Sequence, residues 1–274
     1  MTIPWKEALD QAVRSDLWLA GVGCFSQVIR VGDTGFVVKK SEPHPVVENL
    51  QPVEKRIYER LGHHEFILRY YGEYHHHSEQ SNGVPSGLVF QYMPGGTLAE
   101  NLPLSNYTDE RVEWPIQATE AIRYIHSINV IHSDIGSHNF LIQEDGTLVL
   151  ADFGGSMIDD TVAKVSYATR YQRPLPPDDK QLMTTKMDDI FALGTLIYEI
   201  TVGHQLYPDK QSRDIRLLLR ARKFPSLDNI PPKVQAVIEK CWQEKYESAD
   251  QVLQDLRLTQ YNPQTSKIVG SVLN

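Results

Sequence analysis

The hydrophobic pattern of the first part of the chain predicts β-strands. Residues 17–40 have strand-like sequence, in which residues 27–31 and 36–39 flank the turn Gly32-Asp33-Thr34-Gly35. Because glycine and aspartate favour tight turns, we expect a β-hairpin there. Further strand-like sequence surrounds residues 75–87, a polar segment that we expect to be an exposed loop.

Two helices are predicted within or before this strand-rich part. Val53, Ile57 and Leu61 recur every four residues, and Gly62 ends the pattern. This spacing places one apolar stripe along a helix, which can then pack against the sheet. A shorter helix is predicted near residues 4–14.

Beyond Pro94-Gly95-Gly96 the pattern changes to that of helices. Five apolar residues share one face of a predicted helix, whose start we expect Pro115 to shift or kink: Trp114, Ala118, Ala121, Ile122 and Ile125. Residues 190–200 are apolar nearly all round, as in a buried central helix. A strand-rich part thus precedes a helix-rich part, which predicts an α+β protein of two lobes with a cleft between them.

Composition narrows the class of protein. The chain has 274 residues, of which 41% are hydrophobic and 23% charged, as is typical of a folded globular protein. The net charge of −8 argues against nucleic acid or an anionic membrane as the main partner. Residues 1–19 contain no apolar core of a signal peptide, and Cys24 and Cys241 are too few for a disulfide framework. We therefore expect a cytoplasmic or nuclear protein.

Residues 131–142, IHSDIGSHNFLI, place polar groups between apolar ones. An unpaired polar group beside a core costs about 1 to 3 kcal/mol, so these groups either satisfy one another or serve chemistry. Residues 140–143 and 147–150 have the pattern of two short strands joined by a hairpin turn. Pairing these strands brings Asn139, before the first, towards Asp152, after the second.

An amide oxygen and a carboxylate that converge in this way suit Mg²⁺ bound with a nucleotide, because few protein ligands leave room for phosphate and water. Asp134, five residues before Asn139, lies on the loop that leads into the same site. The alternative is that Asp134 and Asn139 only form local hydrogen bonds with their own backbone, as turn residues often do.

Three more motifs accompany this stretch in a familiar order. GVGCFSQV begins at Gly21, FVVK ends at Lys39, and Asp152-Phe153-Gly154 follows the predicted hairpin. With these motifs the chain resembles the protein kinase family over roughly residues 17 to 257. A dinucleotide-binding fold is disfavoured, because its glycine motif would be followed by a helix rather than by a strand.

The resemblance implies a bilobal kinase-like fold in a single domain. Residues 1–16 would form an N-terminal extension, residues 17–93 a small β-rich N-lobe, and residues 94–274 a larger, mainly helical C-lobe. ATP and Mg²⁺ are the cofactors that the resemblance implies, and a protein is the implied substrate.

Individual roles follow from the same resemblance. Asp134 matches the catalytic aspartate that accepts the proton of the substrate hydroxyl. Lys39 matches the lysine that contacts the phosphates, and Glu54 the glutamate that orients this lysine. Asn139 and Asp152 match the Mg²⁺ ligands, and Asn139 also counts among the catalytic residues. The implied nucleotide-binding residues, with Phe90 as gatekeeper and residues 91–93 as hinge, are Gly21, Val22, Gly23, Val28, Lys39, Phe90, Gln91, Tyr92 and Met93.

Two neighbouring features complete the expected site. Lys40 should point to the opposite strand face from Lys39, because side chains alternate along a strand. Asp189 matches the buried aspartate that the family uses to hold its catalytic loop. Ser26 stands where the family usually has the third glycine of its loop.

The sequence departs from the family at the catalytic loop. Ser133 replaces the arginine before the catalytic aspartate, so no guanidinium is available there to pair with a phosphorylated activation segment. Gly136 takes the place of the lysine of serine/threonine kinases, and His138 that of the arginine of tyrosine kinases. His138 could supply positive charge if protonated, or could be an ordinary polar loop residue.

A second departure concerns an ion pair of the family. Pro174 fits the end of the activation segment, but Leu175 stands where its glutamate belongs, and Tyr246 stands near the position of the usual arginine partner. The loss of both charges together can be nearly neutral, whereas the loss of one would strand the other.

The favoured function is ATP-dependent phosphoryl transfer to a protein hydroxyl, with serine or threonine preferred and tyrosine left open. One alternative is a pseudokinase that keeps ATP and acts as a scaffold, because Ser26, Ser133, Gly136 and Leu175 all depart from the family. Another is a small-molecule phosphotransferase, a class that shares the spacing of Asp134 and Asn139.

Overall fold

The computed structural model describes residues 4–23, 26–42, 48–75, 83–103, 110–159, 161–175 and 183–260. The strands are β1 (Leu17–Val22), β2 (Ser26–Val31), β3 (Phe36–Ser41), β4 (Tyr70–Tyr74), β5 (Gly87–Gln91), β6 (Val130–Ile131), β7 (Phe140–Ile142), β8 (Leu148–Leu150) and β9 (Met157–Ile158). The helices are α1 (Trp5–Gln11), α2 (Gln51–Leu61), α3 (Leu98–Asn101), α4 (Glu110–Ser127), α5 (Lys186–Val202), α6 (Ser212–Arg220), α7 (Pro232–Trp242) and α8 (Ala249–Gln260). A β-rich N-terminal lobe thus precedes a helical C-terminal lobe, which confirms the predicted α+β, two-lobed arrangement.

One antiparallel sheet, in the order β1-β2-β3-β5-β4, forms the N-terminal lobe. The predicted hairpin is present, and its two strands close with Val31 paired to Phe36. Gly32 and Gly35 in the turn have φ angles of 51° and 78°, in the left-handed region that favours glycine. This turn sets the register of β3, the strand that carries Lys39.

Helix α1 covers one face of the sheet. Its Leu9 is fully buried and shares an apolar cluster with Val38 of β3 and Val89 of β5. The hydroxyl of Tyr74 donates a hydrogen bond to Asp10 Oδ1 at 2.9 Å. The segment before β1 therefore contributes to the buried core of this lobe.

The segment 75–87 differs in part from the expected exposed loop. Residues 76–82 lie outside the described residues. Val84, however, is only 1% exposed and belongs to the cluster that contains Leu9, and Gly87 already begins β5. The expectation of an exposed loop is wrong for Val84 and Gly87, since the apolar side chain of Val84 fills space in that cluster, whereas Gly83 and Ser86 are exposed as expected.

Helix α5 is the centre of the C-terminal lobe. It begins after Thr185, whose backbone N–H and hydroxyl both donate to Asp188 Oδ2, and it ends at Gly203, which has a φ of 78°. Every residue from Asp188 through Ile200 is buried, so the predicted central helix is confirmed. The five apolar residues predicted on one face of α4 are fully buried as well, and α4 runs through Pro115.

The two lobes meet beside the short hairpin β7-β8. Leu150 of β8 donates its N–H to Phe66 O and accepts from Leu68 N, both at 2.9 Å. These bonds join the hairpin to the segment between α2 and β4. Within the described ranges, no helix has the length and apolar character that crossing a membrane would require.

Candidate active site

A lysine of the N-terminal lobe bridges two carboxylates. Lys39 Nζ on β3 lies 2.8 Å from Glu54 Oε1 on α2 and 2.8 Å from Asp152 Oδ1 after β8. Burial opposes the charge of Lys39, but the two carboxylates outweigh this effect and raise the pKa of its ammonium. Burial also raises the pKa of Glu54, while the charge of Lys39 acts in the opposite direction. Lys40, the next residue, instead pairs with Glu42 at 2.9 Å.

The hairpin β7-β8 places Asp152 beside the catalytic loop. Ala151 N donates to Asn139 O at 2.9 Å, so the residues before β7 and after β8 are neighbours. Asp152 has a φ of 61°, which is uncommon for a residue other than glycine, and its side chain is 51% exposed. The charge of Lys39 lowers the pKa of Asp152. Its carboxylate is therefore ionised at neutral pH and accessible to a ligand.

Asp134 is held by two side chains of its own loop. Asn139 Nδ2 donates to Asp134 O at 2.8 Å and to Asp134 Oδ2 at 3.2 Å. His138 Nε2 lies 3.3 Å from the same carboxylate oxygen. Because Asn139 donates through Nδ2, its Oδ1 is the atom that could bind a metal. The local hydrogen bonds expected for turn residues are present, and they orient the groups that could bind a ligand.

Asp189 on α5 accepts hydrogen bonds from the backbone of this loop. It accepts His132 N at 2.9 Å, Ser133 N at 3.1 Å and His126 Nε2 at 2.9 Å, together with the hydroxyl of Tyr167. Burial alone would raise the pKa of Asp189, but the hydrogen bond and charge of His126 outweigh it and hold this pKa below the usual value. Ser133 has a φ of 68°, so two backbone bonds to an ionised carboxylate stabilise a strained turn.

A stack of aromatic rings connects the sheet to the catalytic loop. Tyr58 of α2 packs against Tyr70 of β4 at 5.5 Å between ring centroids and against Phe153 at 5.1 Å. Phe153 in turn packs against His132 at 4.9 Å, and all four residues come from separate segments. Local sequence patterns do not predict this stack, although the position of Tyr58 one turn after Glu54, facing the core, is a usable signal. The stack links the position of α2 to that of Asp152.

The glycine-rich motif forms the turn between β1 and β2. Gly21 pairs with Val28, and Gly23 N donates to Ser26 O at 2.8 Å. Val22 is 70% exposed, whereas Val28 packs against the main core. Cys24 and Phe25 lie outside the described residues. Gly23 and Ser26, on either side of these two residues, line the same cavity as Lys39 and Asp152.

The predicted gatekeeper and hinge lie at the end of β5. Phe90 is buried, with its ring 4.8 Å from that of Tyr58. Gln91 N donates to Arg69 O, and Tyr92 N donates to Gly35 O at 2.8 Å. These backbone bonds fix the connection between the lobes, which continues through the buried Met93.

The phosphate-side groups meet at one cavity of about 260 Å³, whereas Gln91 and Met93 of the predicted hinge line a separate cavity. The lining residues that bear on its chemistry are Gly23, Ser26, Lys39, Glu54, Asp134 and Asp152. One ammonium, one accessible carboxylate and a neighbouring amide oxygen are the kinds of group that bind phosphate and Mg²⁺. The residues present therefore fit a nucleotide phosphate chain with its metal ion.

The activation segment is anchored to α5 without the missing arginine. Tyr167 is buried and donates its hydroxyl to Asp189, and burial raises the pKa of this phenol. The hydroxyl of Tyr171 donates to Glu199 and accepts Ser137 N at 2.9 Å. Two tyrosines thus tie the segment to the same helix that holds the catalytic loop, a connection that no sequence motif indicated.

A different ion pair stands near the positions where the family pair is absent. Arg173 Nη1 lies 2.9 Å from Glu244 Oε2, and Arg173 Nε lies 2.7 Å from Asp188 Oδ1. Tyr246 is buried and donates its hydroxyl to Asp255 Oδ2 at 2.7 Å. The arginine of this pair is therefore on the activation segment, two residues before Leu175, and the glutamate follows α7, two residues before Tyr246.

Comparison with known proteins agrees with this geometry. A family model described as a protein kinase domain matches residues 17–255, and the chain belongs to this family. An Aurora kinase of Schizosaccharomyces pombe is 27% identical over 258 residues, which cover 88% of this chain and 70% of that protein. Aurora kinase A-A of Xenopus laevis is 34% identical over 142 residues, or 51% of this chain and 33% of that protein. The platelet-derived growth factor receptor beta of Rattus norvegicus is 28% identical over 177 residues, or 61% of this chain and 16% of that protein.

Membership gives the site its general chemistry. Protein kinases use ATP and Mg²⁺ and act on protein substrates. The matched stretches span only part of these two relatives, 33% of the Xenopus protein and 16% of the receptor.

Proposed function

We propose that the chain transfers the γ-phosphoryl group of ATP to a hydroxyl of a protein substrate. The observation that supports this most strongly is the convergence of Lys39, Glu54 and Asp152 with Asp134 and Asn139. Phosphoryl transfer depends on positioning and charge neutralisation more than on covalent chemistry by the protein. The five side chains provide both.

Each residue has a distinct role in this proposal. Lys39, oriented by Glu54, binds the phosphates, and Asp134 accepts the proton that leaves the substrate hydroxyl. The bond from the γ-phosphorus to the bridging oxygen of ADP breaks, and a bond from this phosphorus to the hydroxyl oxygen forms. Asn139 and Asp152 would hold Mg²⁺, which would neutralise phosphate charge when bound.

We assign adenine binding to residues 91–93, next to the gatekeeper Phe90, together with Gly21, Val22 and Gly23 of the glycine-rich turn and with Val28 as an apolar contact. The lobes that enclose it are assigned to residues 17–93 and 94–274. A cytoplasmic or nuclear location is in keeping with the buried free thiol of Cys241.

Serine and threonine are the proposed acceptors. The support is the residue four positions after Asp134, which is His138 rather than the arginine expected of a tyrosine kinase. A panel of peptides that differ only in carrying serine, threonine or tyrosine tests this preference. Faster phosphorylation of the tyrosine peptides would contradict it.

The test of activity uses the purified chain with ATP, Mg²⁺ and a protein or peptide panel, followed by mass spectrometry. Lys39→Met and Asp134→Asn should each lower turnover by about 10²- to 10⁴-fold. Lys40→Met is the matched control, because Lys40 pairs with Glu42 and should leave turnover unchanged. Equal activity of Lys39→Met and Lys40→Met would refute the assignment of Lys39.

A scaffold that binds ATP is the second candidate, because Gly136 leaves the active site without the lysine of serine/threonine kinases. Thermal stabilisation by ATP and Mg²⁺ without transfer to any acceptor would favour it. Transfer to an amino alcohol or aminoglycoside but to no protein would instead identify a small-molecule phosphotransferase.

A further inference from the structure

Gly136 leaves a space that another side chain of the loop fills. A Cβ atom added at this glycine would lie 2.5 Å from His138 Cε1, 2.7 Å from His138 Nδ1 and 2.9 Å from Tyr171 Cε2. The φ of Gly136 is −178°, an extended conformation that any residue can adopt. A side chain at position 136 would therefore require the rings of His138 and Tyr171 to move, whereas the backbone would accept it.

The imidazole of His138 is held between Tyr171 and Asp134. Its ring lies edge-on to that of Tyr171, with 6.1 Å between centroids, and the Tyr171 hydroxyl is itself fixed by Glu199 and Ser137. On the other side His138 Nε2 lies 3.3 Å from Asp134 Oδ2. Because an ionised carboxylate only accepts hydrogen bonds, Nε2 is the donor.

Asp134 therefore receives two side-chain donors on one oxygen. Asn139 Nδ2 lies 3.2 Å from the same Oδ2 atom. Within the described part of the chain, the second carboxylate oxygen, Oδ1, accepts no hydrogen bond and can take the proton of a substrate hydroxyl. A carboxylate held from two directions loses little freedom when it meets the hydroxyl, which is the preorganisation that a positioned base requires.

We propose that His138 is a positioning residue for Asp134 and occupies the space that the absent side chain at position 136 would take. The inference rests on the proposed function, since it concerns the base of that reaction. An ordinary solvated loop histidine would not require glycine at position 136. The two residues should therefore depend on each other.

A double-mutant cycle of Gly136→Ala and His138→Ala tests this dependence. His138→Ala should lower kcat by about 10- to 100-fold, as expected for a lost hydrogen bond to a charged group, and should leave the KM for ATP unchanged. Gly136→Ala should also lower kcat, because its methyl group displaces the imidazole. The double variant should lose less than the product of the two single losses, because the Cβ at position 136 then meets only Tyr171. His138→Gln, which keeps a donor at a similar reach, should recover most of the rate.

Controls separate this role from a structural one. The side chain of His138 is 40% exposed, so His138→Ala should keep both the unfolding midpoint and the stabilisation by ATP. His204→Ala removes an exposed histidine outside the site and should change neither parameter. A wild-type chain that transfers no phosphate would overturn the proposed function and this inference together. An active wild type with an unchanged kcat in His138→Ala, or with losses that multiply in the double variant, would overturn this inference alone.

Discussion

Replacement of Asp189 by asparagine tests whether a buried charge supports the catalytic loop. The change keeps the shape of the side chain but replaces one accepting oxygen by an NH₂ group. In the wild type, Oδ2 accepts His126 Nε2 and His132 N, and Oδ1 accepts Ser133 N and the Tyr167 hydroxyl. An amide has a single oxygen, so either orientation places its NH₂ group against a backbone N–H donor.

The geometry sets the size of the effect. Hydrogen bonds to a charged acceptor contribute roughly 1.5 to 3 kcal/mol each, and a buried donor left unpaired costs about 1 to 3 kcal/mol. Asp189→Asn should therefore lower the free energy of unfolding by about 3 to 5 kcal/mol, a large share of the 5 to 15 kcal/mol typical of native proteins. Tyr167→Phe removes one donor and leaves the others in place, so about 1 kcal/mol is expected.

Urea unfolding measures these differences, and hydrogen exchange at the amides of His132 and Ser133 shows where they arise. Asp33→Asn is the matched control, because Asp33 is almost fully exposed and its replacement should change stability by less than about 0.5 kcal/mol. If Asp189→Asn cost no more than this control and the two amides kept their protection, the reasoning about the charge would be refuted.

Three other outcomes are expected. Acid should narrow the difference in unfolding free energy between the wild type and Asp189→Asn. The lowered pKa of Asp189 contributes stability above about pH 4, and this contribution is lost as the pH falls through the pKa of Asp189 in the folded protein. Urea midpoints measured between about pH 5 and 3 would show this. Arg173→Met should lower the free energy of unfolding by about 3 kcal/mol, because its guanidinium lies mostly buried between two carboxylates. Arg222→Met should lower it by less than about 1 kcal/mol, because 46% of the Arg222 side chain is exposed. Similar losses of unfolding free energy in the two variants would contradict this dependence on burial. Gly155→Ala should lower the free energy of unfolding by about 1 to 3 kcal/mol, measured by thermal unfolding, because its Cβ would overlap Val165 Cγ2. Val165→Ala in the same chain should recover part of this loss. No recovery would show that the strain lies elsewhere.

Local patterns were sufficient to predict the parts of the site that depend on one or two neighbouring elements. Strand alternation separated Lys39, which meets Glu54 and Asp152, from Lys40, which does not. The predicted β7-β8 hairpin accounts for the proximity of Asn139 to the residues after β8. In both cases the positions of the side chains follow from local structure, namely the alternation of side chains along one strand and a turn that joins two strands about ten residues apart.

Contacts between distant segments could not be predicted in this way. Arg173 and Glu244 are 71 residues apart, and their pairing depends on where the activation segment meets α7. Tyr58 and His132 enter one aromatic stack only because Phe153 lies between them. Val84 was assigned to an exposed loop because its sequence neighbours are polar, yet packing around α1 buries it.

The position of α1 has a practical consequence for anyone who trims this chain. The family match begins at residue 17, but a fragment that starts there would lack Leu9 and would leave Val38 and Val89 facing water. Such a fragment would expose an apolar surface of its N-terminal lobe to solvent and should self-associate. A recombinant fragment that behaves as a monomer therefore needs to retain residues from about Pro4 onwards.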